Sequence, residues 1–361
     1  MFLEKEGKLI YSYDGETVCI EAWGKDALRV RATKNRSFTG RDWALEAKDA
    51  HAGEVEIFED PSAKGGAFAN MYEGTDTSYG KITNGKLHAV IDSGSVITFY
   101  HEDGRVLLKE HFRRLRDEES MPLNIMGREY SNGVGDNFRI VARFVARKGE
   151  KIFGMGQYQQ HELDLKGCML ELAQRNSQVS VPFYLSSIGY GFLWNNPGVG
   201  QVMFANNGTE WVTESGKEID YLVIAGDTPA EIEENYMTLT GKPPMMPEYG
   251  MGFWQCKLRY WNQEQLLSVA RKYKELGVPL DVIVVDFFHW TKQGDFKFDP
   301  KYWPDVPGMC RELKEMGIQV VVSVWPTVDI YSENFEEMKE KGYLVRTEHG
   351  VPLTMLCGGN E

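Results

Sequence analysis

An aspartate directly follows an apolar segment of the sequence. The segment Val282–Val285 is β-branched throughout, which is typical of a strand buried on both faces of a parallel sheet, and Asp286 comes next. A carboxylate at the end of a buried strand costs free energy unless it is paired or takes part in binding or chemistry. Because the active sites of α/β barrels lie at the carboxyl ends of the strands, we expect Asp286 to face such a site.

Aromatic residues follow this aspartate. Phe287, Phe288 and Trp290 come after it, with His289 among them. The rings could form the walls of a pocket, or they could pack between a sheet and its helices, and the sequence leaves both open. The same holds for His289, which could hydrogen-bond a ligand or bond to the backbone of its own loop.

Two other tryptophans are candidate walls of the same pocket. Trp254 lies on the first strand predicted in this region, and Trp325 lies at the end of the third. One face of each strand points into a barrel and the other towards the helices, and the sequence does not fix which. Either ring could therefore belong to the core. For the next polar residues, Lys292, Gln293 and Asp295, we favour a solvated charged loop.

Composition bounds the class of protein. The chain has 361 residues and a net charge of -13, which predicts two domains and argues against nucleic acid as a partner. Nine Trp and seventeen Tyr suit a carbohydrate-binding protein and equally suit a β-rich core. The N-terminus carries acidic residues where a signal peptide is basic and then apolar, and no segment approaches the roughly 20 apolar residues of a membrane span.

The cysteines point to a reducing compartment. They are scattered, odd in number and without C-x-x-C spacing: Cys19, Cys168, Cys256, Cys310 and Cys357. We therefore expect a cytoplasmic protein without a disulfide framework. No pair of histidines has metal-ligand spacing, so no metal site is predicted.

Residues 1–247 are predicted to form a β-sandwich. Short alternating segments such as Thr17–Glu21 and Leu28–Ala32 are separated by turn signals. These signals are Asp14-Gly15, Asn84-Gly85, Asp103-Gly104, Asn132-Gly133 and Asn207-Gly208. Gly154-Met155-Gly156 lacks the third glycine of a nucleotide-binding loop, and a tight β-turn is favoured there. A helix at Ala230–Leu239, with Thr228 as its N-cap, ends this half.

From residue 248 the pattern changes to strand followed by helix. Predicted strands are Tyr249–Cys256, Leu280–Phe288 and Ile318–Trp325; predicted helices are Asn262–Leu276, Pro307–Met316 and one that runs from a Ser332 cap to Lys341. Three such units in series predict a parallel sheet. Pro243, Pro244 and Pro247 form a stiff link, so we place the domain boundary after residue 247.

This second half resembles glycoside hydrolase family 31, the retaining α-glycosidases. The family's strand-end aspartate is matched by Asp286, and its following loop motif by Phe296, Asp299, Trp303, Pro304 and Asp305. Earlier landmarks of the family also match in order: Phe153-Gly154-x-Gly156, Pro182-Phe183-Tyr184 and Gly189-Tyr190-Gly191. The resemblance covers about residues 20–361, and the matches are specific in combination.

The resemblance implies a fold, a reaction and roles for named residues. The fold is a galactose-mutarotase-like β-sandwich followed by a (β/α)8 TIM barrel, and the reaction is hydrolysis of α-xylosyl or α-glucosyl residues without metal or organic cofactor. Asp286 would accept hydrogen bonds from sugar hydroxyls. Phe288 and its neighbour would tune the choice between xylosides and glucosides. The sequence of this strand and of the loop after it favours the α-xylosidase branch of the family. A loop of the sandwich, with Asn176, could reach substrate, although an ordinary strand-end loop is favoured.

The resemblance also implies that the barrel is incomplete. Residues 248–361 hold three βα units, whereas a full barrel needs about 250 residues. The family's nucleophile lies after the fourth strand and its acid/base later, so no catalytic residue is assigned, and Asp286, Asp295, Asp299 and Asp329 receive neither role. Retaining enzymes need two carboxyls about 5–5.5 Å apart.

Several explanations of the incomplete barrel stay open. A companion segment or second chain, which we favour, a split gene product and a truncated sequence would each account for it, and a homo-oligomer is compatible with the sequence. The alternative function is a non-catalytic carbohydrate-binding protein or an inactive fragment. An epimerase on the sandwich alone would need His88 or His101 beside an acid, which nothing in the sequence supplies.

Overall fold

The computed structural model describes residues 1–59, 78–111, 126–347 and 349–353 of the chain. Contacts divide the chain into two units, Met1–Pro243 and Pro244–Glu361. The segment Thr354–Glu361, where we predicted the barrel portion to stop, lies outside the described residues. Within the described part, no helix has both the length and the apolar character that a membrane crossing requires.

Strands dominate the first unit and alternate with helices in the second. The strands are β1 Phe2–Lys5, β2 Lys8–Tyr13, β3 Glu16–Trp23, β4 Ala27–Thr33, β5 Ala50–His51, β6 Glu54–Glu59, β7 Ser78–Asn84, β8 Leu87–Ile91, β9 Ile97–His101, β10 Val106–Lys109, β11 Arg128–Asn132, β12 Phe138–Phe144, β13 Ile152–Gln157, β14 Met169–Leu172, β15 Val179–Ser186, β16 Tyr190–Trp194, β17 Gly200–Ala205, β18 Gly208–Gly216, β19 Ile219–Ala225, β20 Trp254–Lys257, β21 Val282–Val285 and β22 Gln319–Val322. The α-helices are α1 Pro229–Thr240, α2 Gln263–Glu275, α3 Val306–Glu315 and α4 Phe335–Glu340, and short 3₁₀ turns lie at Ala47–Asp49 and Glu248–Met251.

Three antiparallel sheets build the first unit. The largest has the order β1-β2-β3-β4-β19-β16-β15-β13, with β5 paired to β3. The other two have the orders β10-β9-β8-β7-β6 and β11-β12-β18-β17-β14. The hairpin between β2 and β3 turns at Asp14 and Gly15, both at positive φ, which is the two-residue turn that this sequence predicts.

One apolar core joins the three sheets. Side chains from alternate strand positions meet in it because one face of each strand points inward. Its centre is a set of packed rings from β15, β16 and β18, with Phe192 stacked 5.1 Å from Trp211 and Tyr184 5.3 Å from Phe192. Many of the aromatic residues of the first unit therefore belong to its core.

A buried ion-pair cluster links the sheets near this core. Arg128 on β11 donates from Nε and Nη2 to the two carboxylate oxygens of Glu16 on β3, each at 2.9 Å, and from Nη1 to Glu110. The hydroxyl of Tyr221 on β19 donates to the other oxygen of Glu110 at 2.9 Å. Each charge is therefore paired and hydrogen-bonded, which is the condition for burying it.

The segment Gly154-Met155-Gly156 is a β-bulge within β13, and our prediction of a tight turn is wrong. The register with β15 shifts between Gly154 and Gly156, and all three residues have positive φ. A Cβ at Gly156 would stand 2.2 Å from the carbonyl oxygen of Val179. The glycine allows the two backbones to approach, which is how bulges re-aim a strand.

Polar side chains cap the first three helices, and among these caps Thr228 is the one that the sequence predicted. Thr228 accepts a hydrogen bond from the amide of Glu231 at the start of α1, and Asn262 accepts one from Gln265 at the start of α2. Asp305 accepts one from Gly308 at the start of α3. The other predicted cap, Ser332, is wrong: α4 begins at Phe335 after Asn334, and the hydroxyl of Ser332 accepts from the amide of Asn334 in a turn outside the helix.

The second unit has a parallel three-stranded sheet in the order β20-β21-β22. Its apolar cluster lies between this sheet and helices α2 and α3, with Leu266, Ile283 and Leu313 almost without exposure. The helices stay amphipathic because only one face of each meets the sheet.

Candidate functional site

The parallel register brings three strand ends to one edge of the sheet. Lys257 pairs with Val285, and Val285 pairs with Val322. The residue after each strand therefore starts a loop at the same edge, and Asp286 belongs to the central one. This is the position at which open and closed α/β sheets bind ligands.

Asp286 is half-buried and is approached by a thiol. Cys256 on β20 donates from Sγ to Oδ2 of Asp286 at 3.7 Å. Among the described residues, Cys256 supplies the side-chain hydrogen bond that Asp286 accepts, so most of the acceptor capacity of the carboxylate is free for a ligand. The sequence did not single out Cys256, because only the strand register shows that it reaches the neighbouring strand end.

The same contact changes the acidity of the thiol. Burial raises the pKa of Cys256, and the charge and hydrogen bond of Asp286 raise it further. Cys256 therefore stays protonated and remains a donor at neutral pH.

We expect Asp286→Asn to accelerate alkylation of Cys256 by iodoacetamide at pH 8. Removing the charge lowers the pKa of the thiol and increases the reactive thiolate roughly two- to threefold. Mass spectrometry of the peptide that contains Cys256 measures the rate, and Cys310 in α3 serves as the internal control. An equal rate in the variant and the wild-type protein would mean that Asp286 does not act on Cys256.

Two consecutive phenylalanines after Asp286 have left-handed backbone. Phe287 has φ +47° and Phe288 has φ +56°. Bulky residues rarely adopt this conformation, and they keep it only where their surroundings impose it. The ring of Phe287 lies 3.9 Å from that of Phe288 and 4.5 Å from that of Trp325, which follows β22. The structure thus brings together three of the predicted pocket walls beside Asp286.

His289 is buried in the same loop. Burial lowers the pKa of its imidazole, against the opposing charge of Asp286, so the ring is neutral near pH 7. Its Nδ1 has no hydrogen-bond partner among the described atoms. The ring packs 4.7 Å from Trp290 and 4.9 Å from Phe298.

A cavity of about 260 Å³ lies between this loop and the end of β22, and Asp286 is not among the residues that line it. Its lining is mainly aromatic and apolar, with His289, Trp290, Phe298, Val324 and Trp325 among the residues around it. Such a lining, with few polar groups, suits the apolar face of a small organic molecule.

The loop residues Gln293 and Asp295 are buried, so our prediction of a solvated loop is wrong for them; Lys292 is exposed. The carboxylate of Asp295 accepts from the amides of Lys292 at 2.9 Å and Glu333 at 3.1 Å. The carbonyl of Gln293 accepts from the amide of Asp329. The bonds from Glu333 and Asp329 tie the loop after β21 to the loop after β22. The buried carboxylate of Asp295 is stable there because it is hydrogen-bonded.

Trp254 is a predicted site residue that the second unit does not bring to this group. Trp254 is the first residue of β20 and pairs with Val282, so it lies about 13 Å along the sheet from the position of Asp286. Asn176 is exposed in a loop of the first unit, where its neighbour Arg175 forms a bidentate ion pair with Glu171. Both assignments stay predictions. The described residues contain no group of His, Cys, Asp or Glu arranged to hold a metal ion.

Two family patterns match the chain and together cover most of it. Residues 17–202 match the glycosyl hydrolase 31 N-terminal galactose mutarotase-like domain. Residues 243–357 match the glycosyl hydrolases family 31 TIM-barrel domain. The loop that carries Asp286 lies within the second match.

The chain is also similar to individual proteins whose names give family 31 or an alpha-xylosidase. The chain is 42% identical over 369 residues to an uncharacterized family 31 glucosidase, ORF2, of Pseudescherichia vulneris. It is 36% identical over 219 residues to an alpha-xylosidase of Saccharolobus solfataricus, which is 58% of this chain and 30% of that relative. Among solved structures, a family 31 alpha-xylosidase from a soil metagenome, complexed with xylose, superposes with a TM-score of 0.86 at 46% identity.

The chain is shorter than these relatives. The match to the Pseudescherichia protein covers 99% of this chain and 66% of that protein. It spans 52% of the metagenome xylosidase, although the whole of this chain is covered.

Proposed function

The chain belongs to glycoside hydrolase family 31, and on that premise we propose that it forms the N-terminal portion of a retaining α-glycosidase that releases α-xylosyl residues from the non-reducing end of oligosaccharides. Its galactose-mutarotase-like domain precedes the start of the family's TIM-barrel domain. An α-glucosyl substrate is the second preference, because α-glucosidases are also among the relatives.

The observation that carries this proposal is the environment of Asp286. Its carboxylate stands at the carboxyl edge of the parallel sheet, beside aromatic rings, with a thiol as its hydrogen-bond partner among the described residues. An ionised carboxylate forms strong, directional bonds with sugar hydroxyls, while ring faces pack on the apolar face of the sugar. Asp286 therefore binds and orients the sugar, and it is not the nucleophile.

The aromatic pair after Asp286 supports the preference for xylose. Xylose lacks the hydroxymethyl group of glucose, and the bulk of Phe287 and Phe288 at this point favours the smaller sugar. One group of this size is worth about 1–3 kcal/mol, so the rings tune the choice of sugar without defining the reaction. Several relatives of the chain carry the name alpha-xylosidase.

We propose that β20 to β22 and α2 to α4 are the first three βα units of an eightfold barrel. The sheet leaves β20 and β22 as edges in the described part of the chain, and exposed apolar side chains such as Trp254 and Val324 lie on or after them. Further strands would cover such edges. The nucleophile and the acid/base would then be supplied by sequence beyond residue 361 or by a companion chain.

The remaining roles rest on the same proposal. Trp325 and His289 would line the sugar pocket, and Trp254 and Asn176 are retained as further candidates for contact with the oligosaccharide. The protein would act on imported oligosaccharides in the cytoplasm and would need no cofactor.

Hydrolysis of p-nitrophenyl α-D-xyloside and α-D-glucoside by the complete gene product tests the proposal. We expect kcat/KM to be at least tenfold higher for the xyloside, because a single pocket contact discriminates by this amount. Nuclear magnetic resonance of the first product should show retained α configuration. Native and denaturing mass spectrometry of the same sample shows whether a second polypeptide is bound.

Two results would contradict the proposal. Hydrolysis of neither glycoside by an intact, folded sample, with xylose binding seen by calorimetry, would favour a non-catalytic carbohydrate-binding protein. Inverted product configuration would exclude the retaining mechanism.

A further inference from the structure

Arg259 joins the end of one strand to the loop of the next. It lies two residues after β20, and its guanidinium carbon is 4.0 Å from the ring centroid of Trp261. The same carbon is 4.4 Å from the ring centroid of Phe288, in the loop after β21. One cation thus contacts aromatic rings from two separate strand ends.

The conformation of Phe287 and Phe288 needs support from outside their own loop. Consecutive left-handed residues with large side chains persist only when neighbouring contacts fix them. Trp325, after β22, provides a contact for Phe287 at 4.5 Å. Arg259, after β20, provides the corresponding contact for Phe288. The central loop is therefore held from both neighbouring strand ends.

The guanidinium of Arg259 is well suited to contact two aromatic rings. Within the described residues it forms no ion pair or hydrogen bond, so the two rings are the contacts that position it. A guanidinium is planar, always charged and weakly hydrated, and it stacks on aromatic faces better than an ammonium does. Lysine would keep the charge and lose the flat stacking surface.

We propose that Arg259 is a positioning residue of the sugar site, which holds Phe288 in its left-handed conformation and so fixes the wall next to Asp286. Its effect on the choice of sugar rests on the proposed function. Its effect on the loop does not.

The first measurement follows the loop itself. Chymotrypsin cleaves after Phe287 and Phe288 only when the loop opens, and mass spectrometry identifies those cuts in the complete gene product. We expect Arg259→Met to accelerate them at least fivefold, because methionine fills the space without the cation. Arg259→Lys should give an intermediate rate. Arg271→Met is the control, since Arg271 on α2 pairs with Glu264 and Glu312 at the surface.

The second measurement follows the sugar. Arg259→Met should lower the ratio of kcat/KM for the xyloside to that for the glucoside at least fivefold, mostly through KM for the xyloside. Arg259→Lys should restore part of it. A loss of general stability alone would lower both activities and leave the ratio unchanged.

The outcomes separate the two proposals. Cleavage after Phe288 within twofold of the wild-type rate in Arg259→Met, or an unchanged ratio in an active enzyme, overturns the role of Arg259. If Arg259→Met does not fold, the Arg259→Lys variant decides by the same two readouts. If the wild-type protein hydrolyses neither glycoside, the proposed function fails, and the cleavage rates still decide whether Arg259 holds the loop.

Discussion

Asp286→Asn is expected to lower kcat/KM for α-xylosides by about 10²- to 10³-fold while leaving the protein folded. A hydrogen bond to an ionised carboxylate contributes about 1.5–3 kcal/mol, and two such bonds to neighbouring hydroxyls account for a loss of about 3–4 kcal/mol when the charge is removed. Folding should be spared, because the interaction that Asp286 makes with Cys256 is a weak sulfur contact near the surface. Steady-state kinetics on the complete gene product and thermal unfolding measure the two effects.

Asp281→Asn is the matched control for this substitution. Asp281 precedes β21, so it stands at the opposite end of the same strand, and its Oδ2 accepts a hydrogen bond from the amide of Phe253 at 2.9 Å. Asparagine keeps an acceptor at that position, so kcat/KM should change less than twofold. An Asp286→Asn variant with activity within threefold of the wild-type value would remove Asp286 from the sugar site.

Local signals in the sequence predicted the helices well. Thr228 caps α1 as predicted, because a short polar side chain can satisfy a free amide within three residues. Asn262 and Asp305 cap α2 and α3 in the same way, although they were not predicted as caps. Ser332 shows the limit of this reasoning. It also accepts an amide hydrogen bond, but in a turn before α4, and the sequence does not distinguish the two uses.

The strand ends were predicted less well, and this affects the site. The apolar pattern predicted a strand at Leu280–Phe288, whereas β21 ends at Val285. The two phenylalanines fit a strand by propensity, yet tertiary contacts to Arg259 and Trp325 hold them in a left-handed loop. A pattern of residue types carries no record of such contacts between distant segments.

Burial of polar loop residues was missed for the same reason. Gln293 and Asp295 look solvated because of their chemistry, but a later loop donates to the carboxylate of Asp295 and to the backbone carbonyl of Gln293. The position of Asp286, by contrast, followed from the sequence, because a buried β-branched strand and the first polar residue after it are both local features.

Arg128→Met is expected to destabilise the first unit by about 3–5 kcal/mol at pH 7–8, the usual cost of removing one partner from a buried ion pair. Arg128 and Glu110 are 5% and 2% exposed, and without the cation Glu110 and Glu16 would face each other in a poorly solvated space. For a unit of this size the change corresponds to roughly 6–20 °C in the midpoint of thermal unfolding. Arg139→Met is the control: Arg139 on β12 pairs at 3.2 Å with Glu214 at the surface, and such a pair contributes about 1 kcal/mol or less.

The pH dependence identifies the cause of this loss. Burial already raises the pKa of Glu110, against the opposing effect of Arg128, so removing Arg128 raises that pKa further above its unfolded-state value. When a carboxyl has a higher pKa in the folded state than in the unfolded state, the folded protein becomes less stable as the pH rises. It regains that stability as the pH falls and the carboxyl binds a proton. The difference in the free energy of unfolding between Arg128→Met and the wild-type protein should therefore shrink from pH 8 to pH 5, as urea unfolding followed by tryptophan fluorescence would show.

Glu110→Gln in the Arg128→Met background should recover part of the stability at pH 8, because glutamine carries no charge to bury. A pH-independent loss, or no recovery, would instead assign the effect to lost packing around the arginine side chain.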